Sequence, residues 1–178
     1  MNTSTTCALL GLLSVSLFPL VEASAQDSDD QPVTTSEHLA FLEPLIGEWK
    51  GNSTIGDQES PTRVSFRWIN QKTFVLQSME FQGGDLEITH VIGWDPKTKQ
   101  VKTWGFGGSG GYGEMVWTKK SPTNWIEESK DWTVPTGESA RFRLENSLTG
   151  NRMVITGFFQ PEGDERIDLS IQVEKTKK

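Results

Sequence analysis

The sequence predicts an all-β fold, a roughly ten-stranded antiparallel up-and-down barrel with one short N-terminal helix. Three observations predict it. Runs rich in β-branched and aromatic residues recur at about ten-residue spacing. Turn-forming residues separate them. Within several runs, apolar and polar side chains alternate with the period of two expected of a half-buried strand.

The chain opens with an apolar stretch, ALLGLLSVSLFPLV at 8–21, followed by Ala23-Ser24-Ala25. The stretch is shorter than the roughly 20 residues a membrane-spanning helix needs, and the small-residue pattern after it suits a cleavage site, so 1–25 reads as a secretory signal peptide. The expected location is extracytoplasmic, periplasmic or secreted, after cleavage near Ala25, with no membrane span in the mature protein. Residues 26–35, QDSDDQPVTT, are polar and acidic and read as a disordered linker. A single barrel domain is expected over 36–178, a length that can bury a real core.

Thr34 and Glu37 stand at capping-box spacing ahead of Leu39, Phe41, Leu42, Leu45 and Ile46, which predicts a short amphipathic helix over 36–43, ended by Pro44 and Gly47. Strands follow at about 47–55, 63–70, 73–82, 86–95, 100–107, 111–119, 124–132, 139–147, 152–160 and 165–175. Gly83-Gly84-Asp85, Asp95-Pro96-Lys97, Ser121-Pro122, Pro135-Thr136-Gly137, Thr149-Gly150-Asn151 and Pro161-Glu162-Gly163 supply the turns between them. Connections this short make neighbours antiparallel. In the last strand Ile167, Leu169, Ile171 and Val173 share one face; in the eighth, Ala140, Phe142, Leu144 and Leu148 oppose Arg141, Arg143 and Glu145. Each strand is thus wet on one side and buried on the other, and closure into a barrel, rather than an open sandwich, removes the exposed edges.

Charge and composition exclude several functions. The whole chain carries a formal charge of −7; removal of 1–25 takes away Glu22 and leaves 17 basic against 23 acidic side chains. Nucleic acid is not an expected partner of so acidic a chain. The only cysteine, Cys7, lies ahead of the apolar run, so the mature protein has no disulfide or thiolate ligand. With two histidines besides, no zinc set is expected, and there is no GxSxG elbow of a serine hydrolase.

Two stretches resemble known barrels. Phe41-Leu42-Glu43-Pro44-Leu45-Ile46-Gly47-Glu48-Trp49-Lys50-Gly51, a helix running into Gly-x-Trp, resembles the opening motif of calycins such as lipocalins, fatty-acid-binding proteins and nitrobindin-like barrels. Val91-Ile92-Gly93-Trp94-Asp95-Pro96, then Trp104, then Gly110-Gly111-Tyr112-Gly113-Glu114, resembles exported proteins of planctomycete-type bacteria whose calycin-like domain often adjoins a SnoaL-like domain. The resemblance spans nearly all of 39–175 and implies the fold; it brings no activity with it. Nitrobindin-like members bind haem through a histidine near the chain end, whereas this chain has only His38 and His90. No cofactor is therefore expected.

The residues that invite a functional reading are few. WGFGGSGGYGEMVW, at 104–117, matches the dinucleotide fingerprint GxGxxG twice, but that motif must open a helix, and β-rich residues follow instead. A hairpin is the expectation, with Gly105, Gly107 and Gly113 free to admit another segment or a ligand against bare backbone. His90 shares the strand face of Leu86, Ile88, Ile92 and Trp94, which points it inward, either as a hydrogen-bonded core residue or as the polar anchor of a cavity. Trp104, Tyr112 and Glu114 join it as candidate cavity or rim residues. Glu127-Glu128 sit side by side on a strand, so they face opposite ways and read as surface charge. Of the tryptophans, Trp49, Trp68, Trp94, Trp104, Trp117, Trp125 and Trp132, most are accounted for by packing; a few lining a cavity would suit a flat or lipidic ligand.

Three functions stay open. The first is an exported lipocalin-like barrel holding a small apolar or amphipathic ligand. The second is a structural or protein-interaction module of the cell envelope, marked by an apolar patch on the outer wall. The third is an enzyme on a small exported substrate, which requires His90 within hydrogen-bond reach of a carboxylate such as Glu114.

Overall fold

A computed structural model describes residues 35–81 and 86–177. The expected signal peptide, most of the expected linker, the expected cap residue Thr34 and the expected Gly83-Gly84-Asp85 turn lie outside the described residues. The ten strands are β1 (Gly47–Ile55), β2 (Gln58–Ile69), β3 (Phe74–Phe81), β4 (Leu86–Asp95), β5 (Gln100–Gly107), β6 (Tyr112–Ser121), β7 (Asn124–Thr133), β8 (Ser139–Thr149), β9 (Arg152–Pro161) and β10 (Ile167–Lys175). All neighbours are antiparallel, and β1 pairs with both β2 and β10, which closes the barrel. β2 starts earlier than the sequence predicts and runs through Pro61, because its pairing with β1 continues to Ile55 opposite Gln58.

The N-terminal helix differs from the single amphipathic helix expected over 36–43. One α-helical turn, α1 (Thr35–His38), gives way to a 3-10 helix over Ala40–Leu45 that contains Pro44. Proline has no N–H for the α-helical bond and its ring crowds the preceding turn, so the chain tightens: Leu42 N–H bonds to Leu39 O at 2.9 Å and Ile46 N–H to Glu43 O at 3.2 Å. A three-residue repeat places side chains three apart on one face. Leu39, Leu42 and Leu45 accordingly line up inward, each no more than 1% exposed.

This segment plugs one end of the barrel. Its leucines join one apolar cluster with Trp49, Val64, Phe66, Val75 and Ile92, and Trp49 Nε1 donates to Leu45 O at 2.8 Å. Trp68 Nε1 donates to the Glu43 carboxylate at 2.7 Å, while His38 stacks on Trp94 with ring centroids 3.7 Å apart. Phe41 meets Trp117 edge-on, and Trp117 in turn stacks on Trp125 at 5.5 Å. A second, smaller cluster of Met115, Trp132 and Ala140, with Phe142, Leu144 and Phe159 against it, lies toward the opposite end.

The inward faces agree with the alternation read from the strands. Leu169 and Ile171 of β10 and Phe142 and Leu144 of β8 line the interior, and Val173, Ala140 and Leu148 are buried with them. No helix among the described residues is long and apolar enough to cross a membrane.

Candidate functional site

The interior holds a chamber of about 190 Å³. Thirteen of its sixteen lining residues are apolar, among them Phe81, Trp132, Phe142 and Phe159; the other three are Gln77, His90 and Glu127. Strands β1, β3, β4 and β6 to β10 all contribute. Several contributors at the end away from the 3-10 plug, such as Leu86, Phe142, Phe159 and Leu169, are only half-buried, so the chamber is nearest to solvent there.

His90 reaches this chamber because β4 alternates, and its position fixes much of the neighbouring wall. It pairs with Gly105 of β5, which pairs with Gly113 of β6. Both glycines therefore face inward, and each would clash with Trp132 if it bore a Cβ: at 2.5 Å from the ring for Gly105 and 2.8 Å for Gly113. The Gly105 Cβ would also come within 2.7 Å of His90 Cδ2. The bare backbone expected of these glycines thus receives another segment of the chain, the Trp132 indole from β7, which meets the His90 ring edge-on at 6.3 Å. The rest of the glycine run is the hairpin tip between β5 and β6. Gly107 N–H bonds to Gly111 O at 2.7 Å, and Gly110 adopts φ 104°, open to glycine. No helix follows it, so it is not a nucleotide cradle.

The polar lining divides into two sets. His90 Nδ1 lies 2.8 Å from Gln77 Oε1. An amide oxygen only accepts, so Nδ1 carries the hydrogen and Nε2 presents a lone pair. Among the described residues nothing hydrogen-bonds that Nε2, and yet no fully enclosed side-chain nitrogen or oxygen lacks a partner; the lone pair is open to the chamber space. Burial drives the His90 pKa down to about 4, keeping the ring neutral. Its residual exposure is 3%.

Glu127 anchors the second set. Its carboxylate accepts from Asn146 Nδ2 at 3.1 Å, Trp125 Nε1 at 3.3 Å and the Thr103 hydroxyl at 3.4 Å, and Thr103 accepts from Trp117 Nε1 at 2.6 Å. Burial raises the Glu127 pKa to about 7, more than these three donors lower it. The reading of Glu127-Glu128 as surface charge is therefore corrected for Glu127. Glu128 does point out, to Arg143, but alternation sends its neighbour inside. The signal was present in Trp125-x-Glu127-x-Ser129, whose three members are all buried.

The other candidates do not join His90. The same register that turns Gly105 and Gly113 inward turns Trp104 and Glu114, which pair with each other, and Tyr112, paired with Phe106, onto the outer wall. None of the three lines the chamber. Trp104 lies over Gly93 beside Phe74. Glu114 binds Lys102 Nζ at 2.7 Å, and Lys102 also binds Asp95 at 2.9 Å. These contacts raise the Lys102 pKa, the Glu114 bond foremost, and the Lys102 bond holds Asp95 well below the usual carboxylate range. Because Glu114 and His90 occupy opposite faces of one sheet, these two do not form the carboxylate and imidazole pair of the enzyme reading.

The residues present also do not fit a haem. There is no histidine after His90, the chamber is smaller than the roughly 300 Å³ at which sites for drug-sized ligands begin, and the His90 ring is wedged between Gln77, Gly105 and Trp132. Among the described residues no three of His, Cys, Asp or Glu group as metal ligands.

The closed ten-stranded antiparallel barrel, with a plugged end and an apolar interior chamber, fits a calycin- or lipocalin-like fold. No protein-family model and no curated protein matches the sequence. Among solved structures, the chain is similar to Rv2717c from M. tuberculosis, with a TM-score of 0.63 and 16% identity over 78% of this chain and 97% of that one. It is also similar to EF1p2_mFAP2b bound to DFHBI, with a TM-score of 0.40 and 13% identity over 80% of this chain and 100% of that one. The likeness to Rv2717c concerns the fold alone.

Proposed function

We propose that this chain is an exported barrel, freed of 1–25, that binds a small apolar or amphipathic ligand inside its chamber. One observation supports the reading above others: an apolar space of about 190 Å³ is bordered by a neutral imidazole whose Nε2 has no hydrogen-bond partner among the described residues. Apolar walls with a few placed polar groups are the usual composition of a small-molecule site. Filling such a space releases no protein hydrogen bond and removes apolar ligand surface from water.

The test is thermal unfolding of the full chain with toluene or 1-hexanol added, beside the variant Ile88→Trp, which fills the chamber from β4. Ligand that binds only the folded state raises its stability by RT ln(1 + [L]/Kd), about 2.7 kcal/mol at a hundredfold excess over Kd. The wild-type midpoint rises with ligand, and the variant's midpoint does not move. Equal shifts in both proteins would place the binding elsewhere.

The second reading, a module that docks on another envelope protein, has its own observation. Phe106 and Tyr112 stand opposite each other on the outer wall and are 53% and 55% exposed. Two aromatics form a small patch beside the several hundred Å² typical of recognition surfaces, and the chamber favours the first reading.

A further inference from the structure

The chamber's size, charge and single open acceptor narrow the ligand class, on the premise that the barrel binds a small molecule at all. The geometry points to a compact, neutral, single-ring aromatic alcohol of the phenol class, its ring among Trp132, Phe142 and Phe159 and its hydroxyl donating to His90 Nε2.

Size comes first. At about 190 Å³ the space is slightly larger than an engineered apolar cavity of about 150 Å³ that takes up benzene. One ring with a small substituent fits; a long acyl chain or a fused macrocycle does not. Shape agrees, because three aromatic side chains wall one side in edge-on and tilted contacts, Trp132 to Phe142 at 5.1 Å and Phe142 to Phe159 at 4.7 Å. Aromatic groups favour offset or edge-to-face neighbours, and a ligand ring extends that series.

Charge excludes the anionic alternative. Among the described residues no lysine or arginine lines the chamber, and the one acid that does, Glu127, is surrounded by its own donors. A carboxylate ligand would be desolvated beside an acidic group with no cation to balance it. Hydrogen-bond polarity then selects among neutral ligands. Gln77 fixes the hydrogen on Nδ1, so Nε2 can only accept; an alcohol satisfies it, and an ether or hydrocarbon of the same shape leaves it unmatched.

Calorimetric titration of the full chain at pH 7 with phenol, toluene, anisole, benzoate, benzylamine and octanoate tests this. Phenol is expected to bind about tenfold more tightly than toluene or anisole, the scale of one buried neutral hydrogen bond, with benzoate and octanoate weaker still. His90→Phe is expected to bring phenol down to the affinity of toluene while toluene binding persists. If that variant does not fold, Gln77→Met, which releases the ring from its fixed tautomer, is expected to shrink the preference instead. Toluene or anisole binding as tightly as phenol would overturn the hydroxyl contact, and tighter binding of benzylamine, benzoate or octanoate would overturn the ligand class, while either leaves the binding function standing. Failure of all six probes to bind would overturn the binding function itself.

Discussion

Replacing Trp132 by alanine is expected to cost about 3–5 kcal/mol of stability, the range for truncating a large buried aromatic, and to widen the ligand range. The indole is 7% exposed and rests against two glycines whose missing Cβ atoms make its seat. The glycine side of the seat cannot collapse into the space, because Gly105 and Gly113 have no side chains to extend and the ladders of β5 and β6 hold their backbones. The chamber should therefore grow and admit a two-ring ligand such as 2-naphthol, which the wild type refuses. Urea unfolding measures the first effect and titration with 2-naphthol the second. A loss below about 1 kcal/mol, the level of an ordinary surface substitution or less, would show that Trp132 is not packed as described.

The second large effect concerns pH. His90 and Glu127 are both buried in the wall of one chamber, and burial moves their pKa values in opposite directions, to about 4 and about 7. For His90 the folded value lies below the ordinary value of 6.5, so the unfolded chain binds the extra proton and stability is lost as pH falls from about 6.5 to about 4. For Glu127 the folded value lies above the ordinary value of 4.5, so the folded chain holds the extra proton and stability is lost as pH rises from about 4.5 to about 7. Each shift corresponds to about 3 kcal/mol at 1.36 kcal/mol per pKa unit. Between about pH 4.5 and 6.5 the two slopes cancel, and single variants unmask them. The stability of wild type relative to Glu127→Gln should fall by about 3 kcal/mol from pH 4.5 to 7, and relative to His90→Gln it should rise by about as much from pH 4 to 6.5. Chemical denaturation across that range decides the matter, and profiles parallel to wild type would remove both groups from the buried chamber.

These residues also show how far a sequence of this kind can be read. All ten strands were legible because alternation and turn chemistry are local properties: Ile167 to Val173 needs no partner to display its two faces. His90 was legible as an inward residue for the same reason. The orientations of Trp104, Tyr112 and Glu114 were not, because glycines interrupt the pattern of β5 and β6, and only the pairing of His90 with Gly105 and of Gly105 with Gly113 fixes them. Trp132 filling the glycine seat is a long-range contact, which no local pattern announces. Glu127 was hidden by its neighbour, since two adjacent acids read as surface charge until alternation separates them. The 3-10 segment escaped for a smaller reason, in that Leu39, Leu42 and Leu45 satisfy an α-helical stripe and a three-residue repeat alike, and Pro44 selects the second.

The glycine run at 104–117, which first suggests a phosphate site, thus serves the chamber from outside it. Its inward glycines seat Trp132 against His90, while its outward residues, Trp104, Glu114 and Tyr112, belong to the outer wall, where Lys102 bridges Glu114 and Asp95.

A crystal structure of the full chain soaked with 4-bromophenol, phased to locate bromine by its anomalous signal, shows where a phenol binds. One bromine is expected inside the barrel, with a phenolic oxygen about 2.8 Å from His90 Nε2, the distance of an ordinary hydrogen bond. Bromine confined to the outer wall near Phe106 and Tyr112, with the interior filled by the protein's own side chains, would contradict binding inside the chamber.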